Sequence, residues 1–424
     1  MARGGSRNSN SGGTPPVEGL GETVMEHATQ VELGHTLFTY IDKGEQARNA
    51  APFANPVRDY ICRDQAARER DVLFHDHPLL LGMTADLPNP GDFFTNDFTG
   101  RPILVVRGKD SKVNAFLNVC RHRGAKLATA DLAQGCARTN ESFICPYHGW
   151  AYGLDGSLLG VREAEAFGEV DRSTHGLRRL AAVERNGFIW VRPGGEEPFD
   201  PDALLGTLAP EMAAYGFERY SHYETRTLRR AMNWKLVIGT FLEGYHIKVL
   251  HRNTISSLLL GAQTSFDPYG RHVRMAVPRS GFETLRKTPE REWDVLKHVA
   301  VVYELFPNTV LVWQGDHMET WRVFPGNTPD ESVMHASLYI PEPALTDKAK
   351  RHWDRNMKIL LDTVEKEDFP LGEDMQRGFH SGAQDHLLFG RNEPALAHFH
   401  RSVHEALRLQ EASGLVGPYG QPTR

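Results

Sequence analysis

Four residues in two short stretches constrain this chain more than any other feature: Cys120-x-His122, then 22 intervening residues, then Cys145-x-x-His148. Each stretch offers one thiolate and one imidazole, so the fold must bring two separate loops to a shared metal centre. Gly124 permits a tight turn beside the first pair, and Pro146 and Gly149 bracket His148 in a second. Tetrahedral zinc accepts two cysteines and two histidines, but zinc ribbons and fingers usually pair Cys with Cys and His with His along the chain. Matched Cys/His pairs suit a [2Fe–2S] cluster of the Rieske type, with the cysteines on one iron and the histidines on the other.

The surrounding sequence is strand-like. From Asp92 to Phe116, β-branched and aromatic residues alternate with polar ones, and Gly100 and Gly108-Lys109-Asp110 sit where turns belong. Short strands continue to about Pro193, which predicts an antiparallel β domain over 75–193. It follows a Gly/Ser/Asn-rich tail at 1–16, expected to be disordered, and a helical lead-in over 17–74. GGEEPFDPDA at 194–203 reads as a linker into a second domain spanning 194–424.

That second domain mixes element types. Residues 233–250 are helix-like, and strand-like runs follow at Val299–Tyr303, Val310–Gln314, Glu319–Phe324 and Val333–Ile340. A long helix starts near Thr346 and is expected to break at Pro370. Strands grouped ahead of a long helix predict an antiparallel sheet packed on it, an α+β arrangement.

Bulk properties exclude several function classes. A net charge of −6 gives no reason to expect a nucleic-acid or anionic-membrane partner. No apolar run approaches the ~18 residues of a membrane span, and the start lacks the apolar core of a secretory signal. Four cysteines in 424 residues argue for a reducing compartment and metal ligation over a disulfide scaffold, so a cytoplasmic location is expected.

A second set of ligand-type residues lies in NWKLVIGTFLEGYHIKVLH, which offers His246 and His251. Two imidazoles and one carboxylate with open positions make the facial triad of non-haem Fe(II) oxygenases. Residues five apart lie about 140° around an ideal helix axis, so the helix must end near Lys248 or carry an irregular turn. Trp353, Met357, Leu360, Leu361 and Val364 mark the buried face of the long helix, and the stripe continues to Asp368 with Glu367 at its edge. A core-facing carboxylate needs compensation. A metal would supply it, as would Arg377 or a helix-capping role. His398, His400 and His404, and His75 with His77, superficially resemble clusters but are expected to be solvated or partly packed helical faces.

CRHRG followed by CPYHGW is similar to the signature of the Rieske non-haem iron oxygenases, in particular their terminal oxygenase (alpha) subunits. EKEDFPLGEDMQRGFHSG resembles that family's C-terminal ligand segment, and the resemblance runs from about Asn55 onward. Respiratory-chain Rieske proteins carry an additional, disulfide-forming cysteine in each loop. Here those positions hold Gly124 or Ala125 and Tyr147, so Cys62 and Cys136 are expected to be buried small hydrophobes.

The resemblance implies a Rieske [2Fe–2S] domain ligated by Cys120, His122, Cys145 and His148. It further implies a helix-grip (START/SRPBCC-like) catalytic domain in which His246, His251 and Asp368 bind mononuclear Fe(II). O₂ is the implied co-substrate. Electrons would come from NAD(P)H through a separate reductase, with or without a ferredoxin, since the chain has no G-x-G-x-x-G after a strand and no plant-type ferredoxin cysteine set. The implied assembly is a homotrimer in which Glu243 joins His246 to the partner subunit's His148. Relatives usually have Asp at that position; Glu is the choice of oxygenases acting on quaternary ammonium substrates. Gly239-Thr240 is a second departure, where relatives often have Glu-Asn.

The expected reaction is hydroxylation or dihydroxylation of a small organic molecule. An aromatic ring comes first by family frequency, with N-demethylation or hydroxylation of a quaternary ammonium compound as the alternative. For the latter, Tyr245, Trp313 and Trp321 could form a cation–π cage. The rivals are a Rieske electron carrier with a non-enzymatic ligand-binding cup, and a zinc-binding structural protein, which would be colourless.

Overall fold

The computed structural model describes residues 25–413 apart from 140 and 262, so the expected disordered tail at 1–16 lies outside the described residues. Two seven-stranded antiparallel sheets organise the chain. The first runs Leu79–Met83, Phe188–Arg192, Arg179–Arg185, Val113–Leu117, Ile103–Arg107, Asp92–Asn96, Ala137–Arg138. A three-stranded sheet of Ser142–Ile144, Ala151–Gly153 and Leu158–Gly160 carries one of the two Cys/His loops. Phe93, Phe116, Phe143, Trp150 and Tyr152 pack with Cys120 and Cys145 into a core of their own.

The second sheet runs Ser221–Arg230, Ser332–Ile340, Met318–Pro325, Thr309–Trp313, Val299–Leu305, His272–Pro278, Asp267–Tyr269. Four of them, Val299–Leu305, Thr309–Trp313, Met318–Pro325 and Ser332–Ile340, are buried on both faces, which is why they read as largely apolar runs. Val301, Tyr303 and Trp313 pack one way, while Val302, Val312 and Trp321 face the long helix. That helix, Asp347–Thr363, is started by the Thr346 hydroxyl, which accepts a bond from the Ala349 N–H, and buries Trp353, Met357, Leu360 and Thr363.

The expected break at Pro370 does not occur. Residues Val364–Asp368 form a π turn, and Phe369–Phe379 continues as α-helix with Pro370 in its first turn. There the missing N–H of proline costs no intrahelical bond. The expected helix over 233–250 is interrupted: Trp234–Gly239 is helical, bends follow, and one short turn spans Ile247–Leu250. Its start is anchored by a buried ion pair, Lys235 Nζ to Glu69 at 2.6 Å, with the Trp234 indole N–H donating to the same carboxylate at 2.9 Å.

The linker at 194–203 does not keep the two sheets apart. Apolar residues of both, including Leu81, Ile103 and Ile189 with Trp321, Val323 and Met334, form one continuous core. Polar bonds cross the same boundary, from Tyr339 Oη to Asp86 at 2.9 Å and between His335 Nε2 and Asp131 at 3.2 Å.

Two expectations about individual residues are corrected. Cys62 is half-buried at the start of the helix Arg63–Glu69, and Cys136 is exposed, so neither is a core residue. His400 and His75 are buried rather than solvated, because each has a partner: the Tyr60 hydroxyl at 2.9 Å and Asp71 at 3.2 Å.

Candidate metal centres

Both Cys/His loops are built on one backbone pattern. The Cys120 N–H donates to Ala125 O and the Gly124 N–H to Cys120 O; the Cys145 N–H donates to Trp150 O and the Gly149 N–H to Cys145 O. In each, a glycine four residues after the cysteine takes a positive φ, +79° at Gly124 and +74° at Gly149. Only glycine adopts that conformation without strain, and the turn swings the histidine back beside its cysteine.

The thiols of Cys120 and Cys145 are buried and adjacent; burial pushes the Cys120 thiol up, and its contact with Cys145 adds to that. The rings of His122 and His148 lie 4.7 Å apart. Their Nδ1 atoms are both buried without a hydrogen-bond partner, an arrangement that costs free energy unless a ligand supplies the missing contact. Like donors are thus segregated, sulfur with sulfur and nitrogen with nitrogen, as a two-iron cluster requires. Tyr152, which sequence reasoning missed, braces the site. Its hydroxyl lies 3.3 Å from Cys120 Sγ and accepts from the Arg121 N–H at 2.9 Å, while Trp150 stacks on His122.

At the second site the interrupted helix resolves the five-residue spacing. His246 precedes the short turn and His251 follows it, so both rings reach one point. Their Nε2 atoms are 3.1 Å apart and lie 3.6 and 3.5 Å from the two carboxylate oxygens of Asp368. Among the described residues this is the one group of three whose ligand atoms converge closely enough for a single ion. Asp368 makes no capping bond, and Arg377 pairs with Asp374 instead. Burial pushes the Asp368 carboxyl up to about 6, against the opposing pull of His251 and His246.

The far side of each ring is held by a carboxylate. Glu243 bonds His246 Nδ1, and its other oxygen accepts from the backbone N–H groups of Tyr245 and His246. The contact runs across the bend that precedes the turn Ile247–Leu250. Glu367 Oε2 takes His251 Nδ1 at 2.7 Å and the Thr254 hydroxyl at 2.6 Å. Both Nδ1 atoms are therefore donors, and both Nε2 lone pairs point at each other and at Asp368. Three acceptors converging in a buried site repel one another, and a divalent cation satisfies all three. Glu367→Gln is expected to weaken mononuclear iron binding about 10- to 100-fold, the usual cost of losing an outer partner, with cluster absorbance unchanged; iron titration of the apo-protein measures it.

A cavity of about 390 Å³ opens onto this group. Its walls are largely apolar (Leu258, Met275, Val277, Val302 and Val312 among them), with Trp321, Glu319, Gln314 and Arg279 at one side. The aromatic cage suggested by the sequence is not assembled. Tyr245 is 67% exposed, Trp313 packs against Tyr215 on the opposite face of the sheet, and Trp321 alone of the three lines the cavity. Strand alternation separates Trp313 from Val312.

Comparison with known proteins gives two family matches: the Rieske [2Fe-2S] domain over residues 77–173, and the ring hydroxylating alpha subunit (catalytic domain) over 217–409. A glycine betaine monooxygenase oxygenase subunit of Chromohalobacter salexigens is 35% identical, covering 78% of this chain and 79% of that protein. The corresponding subunit of Pseudomonas aeruginosa is 36% identical over 46% of this chain and 44% of its own length, so the matched stretch spans less than half of that relative. Among solved structures, a quaternary ammonium Rieske monooxygenase in complex with L-carnitine superposes with a TM-score of 0.70 at 20% identity, covering 83% of this chain and 95% of that one. A naphthalene 1,2-dioxygenase gives 0.66 at 18% identity, covering 87% and 96%.

Proposed function

The chain belongs to the family of Rieske-type ring-hydroxylating oxygenase alpha subunits, and from that premise we propose that it is the oxygenase component of a monooxygenase acting on a quaternary ammonium compound. It carries the family's Rieske [2Fe–2S] domain and mononuclear-iron catalytic domain. We assign Cys120, His122, Cys145 and His148 to the cluster, and His246, His251 and Asp368 to the iron. Bound there, the cluster supplies single electrons and the ferrous ion activates O₂ for insertion into a C–H bond.

The observation that carries the substrate reading is the pairing of Glu319 with Trp321. These residues are two apart on one strand and so share a face, and both line the cavity beside the triad. Glu319 is 8% exposed. One of its oxygens accepts from Gln314 Nε2 at 3.0 Å and lies 3.8 Å from His317, itself bound to Asp316 at 2.6 Å; the other bonds no described residue. An open carboxylate oxygen beside an indole face attracts an alkylammonium head, and a bare aromatic ring would leave that oxygen without a partner. Relatives whose names specify glycine betaine and choline support the same reading.

In this account the cation rests against Glu319 and Trp321, which aims a C–H bond adjacent to nitrogen at the triad. The apolar wall of Met275, Val277 and Val302 keeps water from competing. Hydroxylation at that carbon makes the C–N bond labile: its electron pair leaves with nitrogen, the hydroxyl loses its proton, and amine plus carbonyl compound separate. Electrons arrive from a separate reductase. A head-to-tail homotrimer brings the partner subunit's His148 to Glu243, and a cytoplasmic setting suits the reduced cysteines.

The ring-hydroxylation reading placed first by family frequency becomes the second. A substrate panel with a surrogate reductase and NADH separates them. Amine and aldehyde from an ammonium compound are expected, whereas diol from an aromatic ring with no oxidation of any ammonium compound would overturn the proposal.

A further inference from the structure

Beyond Glu319 the cavity wall carries a second charge, the half-buried guanidinium of Arg279. It sits just past the end of the strand His272–Pro278. Its Nε donates to Val299 O at 3.3 Å, and its Nη2 donates to Gln314 O at 2.8 Å and to Gln314 Oε1 at 2.7 Å. The Gln314 amide then donates onward to Glu319. One side-chain amide thus holds a cation at one end and an anion at the other, in a continuous strip along the cavity. Each charged group keeps an atom outside this strip: Nη1 of Arg279 and Oε2 of Glu319 bond no described residue.

Holding both charges in a half-apolar wall is costly unless a ligand completes their contacts. A simple alkylammonium ion would complete only the carboxylate. A molecule with opposite charges at its two ends would complete both, because the Glu319 carboxylate and the Arg279 guanidinium stand at opposite ends of the Gln314 side-chain amide. We propose that Arg279 is a specificity-determining residue that takes the carboxylate of a zwitterionic substrate, so that the chain selects ammonium carboxylates over ammonium alcohols. This rests on the ammonium reading above and adds the anionic end. Gln314 is a positioning residue: it fixes the distance between the two charges, and with it which carbon reaches the triad.

The test uses the full holoprotein with a surrogate reductase and two probes of similar size, trimethylglycine and choline. The readouts are kcat/KM for each and, under anaerobic conditions, the Kd of each by calorimetry. Wild type is expected to prefer the acid. Arg279→Leu is expected to cut the acid-to-alcohol ratio roughly 30-fold, the scale of a lost charged hydrogen bond, with Kd for the acid rising in step. Arg279→Lys keeps the charge and loses the planar fork, so it is expected to recover part of the ratio. Should the leucine variant not fold, a drop of about threefold or more in the lysine variant carries the same conclusion. An unchanged ratio in a folded variant, while wild type oxidises either probe, overturns the role of Arg279 and leaves the ammonium reading standing. Oxidation of neither probe by wild type overturns both.

Discussion

Replacing Asp368 by alanine is expected to leave the visible absorbance of the Rieske cluster intact while mononuclear iron and turnover are both lost. Asp368 is the one carboxylate of the converging group, and its two oxygens face the two imidazoles separately. Its removal takes away a third of the protein ligation together with the only formal negative charge on the ion. The loss of affinity should therefore exceed the roughly 100-fold that an outer partner costs. The cluster loops are insulated from the change because Cys120 and Cys145 sit in a separate core built from Phe143, Trp150 and Tyr152. Iron analysis should fall from about three per chain to about two. Wild-type iron content in this variant would instead move the ligand to Glu367.

Glu243→Gln is expected to have the next largest effect, and on a different step. Glu243 spends one oxygen on His246 Nδ1 and the other on two backbone N–H groups that shape the bend before the ligand. Glutamine has the same length but accepts through one oxygen only and carries no charge. Both metal sites should be loaded at saturating ferrous iron, although mononuclear iron is expected to bind about 10- to 100-fold more weakly, as in Glu367→Gln. Reoxidation of the reduced cluster, followed by rapid mixing with O₂ and substrate, should slow about 10- to 100-fold, because the His246 imidazole is no longer fixed or polarised. An unchanged rate would remove Glu243 from the electron path.

The sequence was most informative where function demands a residue type at a fixed spacing. The Cys/His loops were legible because thiolates, imidazoles and a turn glycine must recur at set offsets. Asp368 was legible because a charged residue continued an apolar stripe. Four of the seven strands of the second sheet were legible because burial on both faces leaves apolar runs; Ser221–Arg230 and Asp267–Tyr269, partly exposed and polar, were not, nor was His272–Pro278. The π turn at Val364–Asp368 was not, since Pro370 signals a helix end and the compensating wide turn leaves no mark in the sequence. Cys136 and His400 were misplaced for a related reason: exposure depends on which element lies opposite, and Tyr60 is 340 positions from His400. Arg279, Gln314 and Glu319 were invisible as a group because the ends of different strands come together only in the folded sheet. Their separate positions in the sequence carry no spacing rule.

The central claim is that one chain couples a Rieske cluster to a mononuclear iron that hydroxylates an ammonium substrate. A single-turnover experiment tests it most directly. The protein is fully reduced, the reductant is removed, and O₂ is admitted with trimethylglycine present and no reductase. The account predicts that the cluster reoxidises and that hydroxylated product, seen as amine and aldehyde, forms in proportion to mononuclear iron, with neither event in Asp368→Ala. Cluster reoxidation without product in the iron-loaded wild type, or product formed equally well by the Asp368 variant, would contradict it.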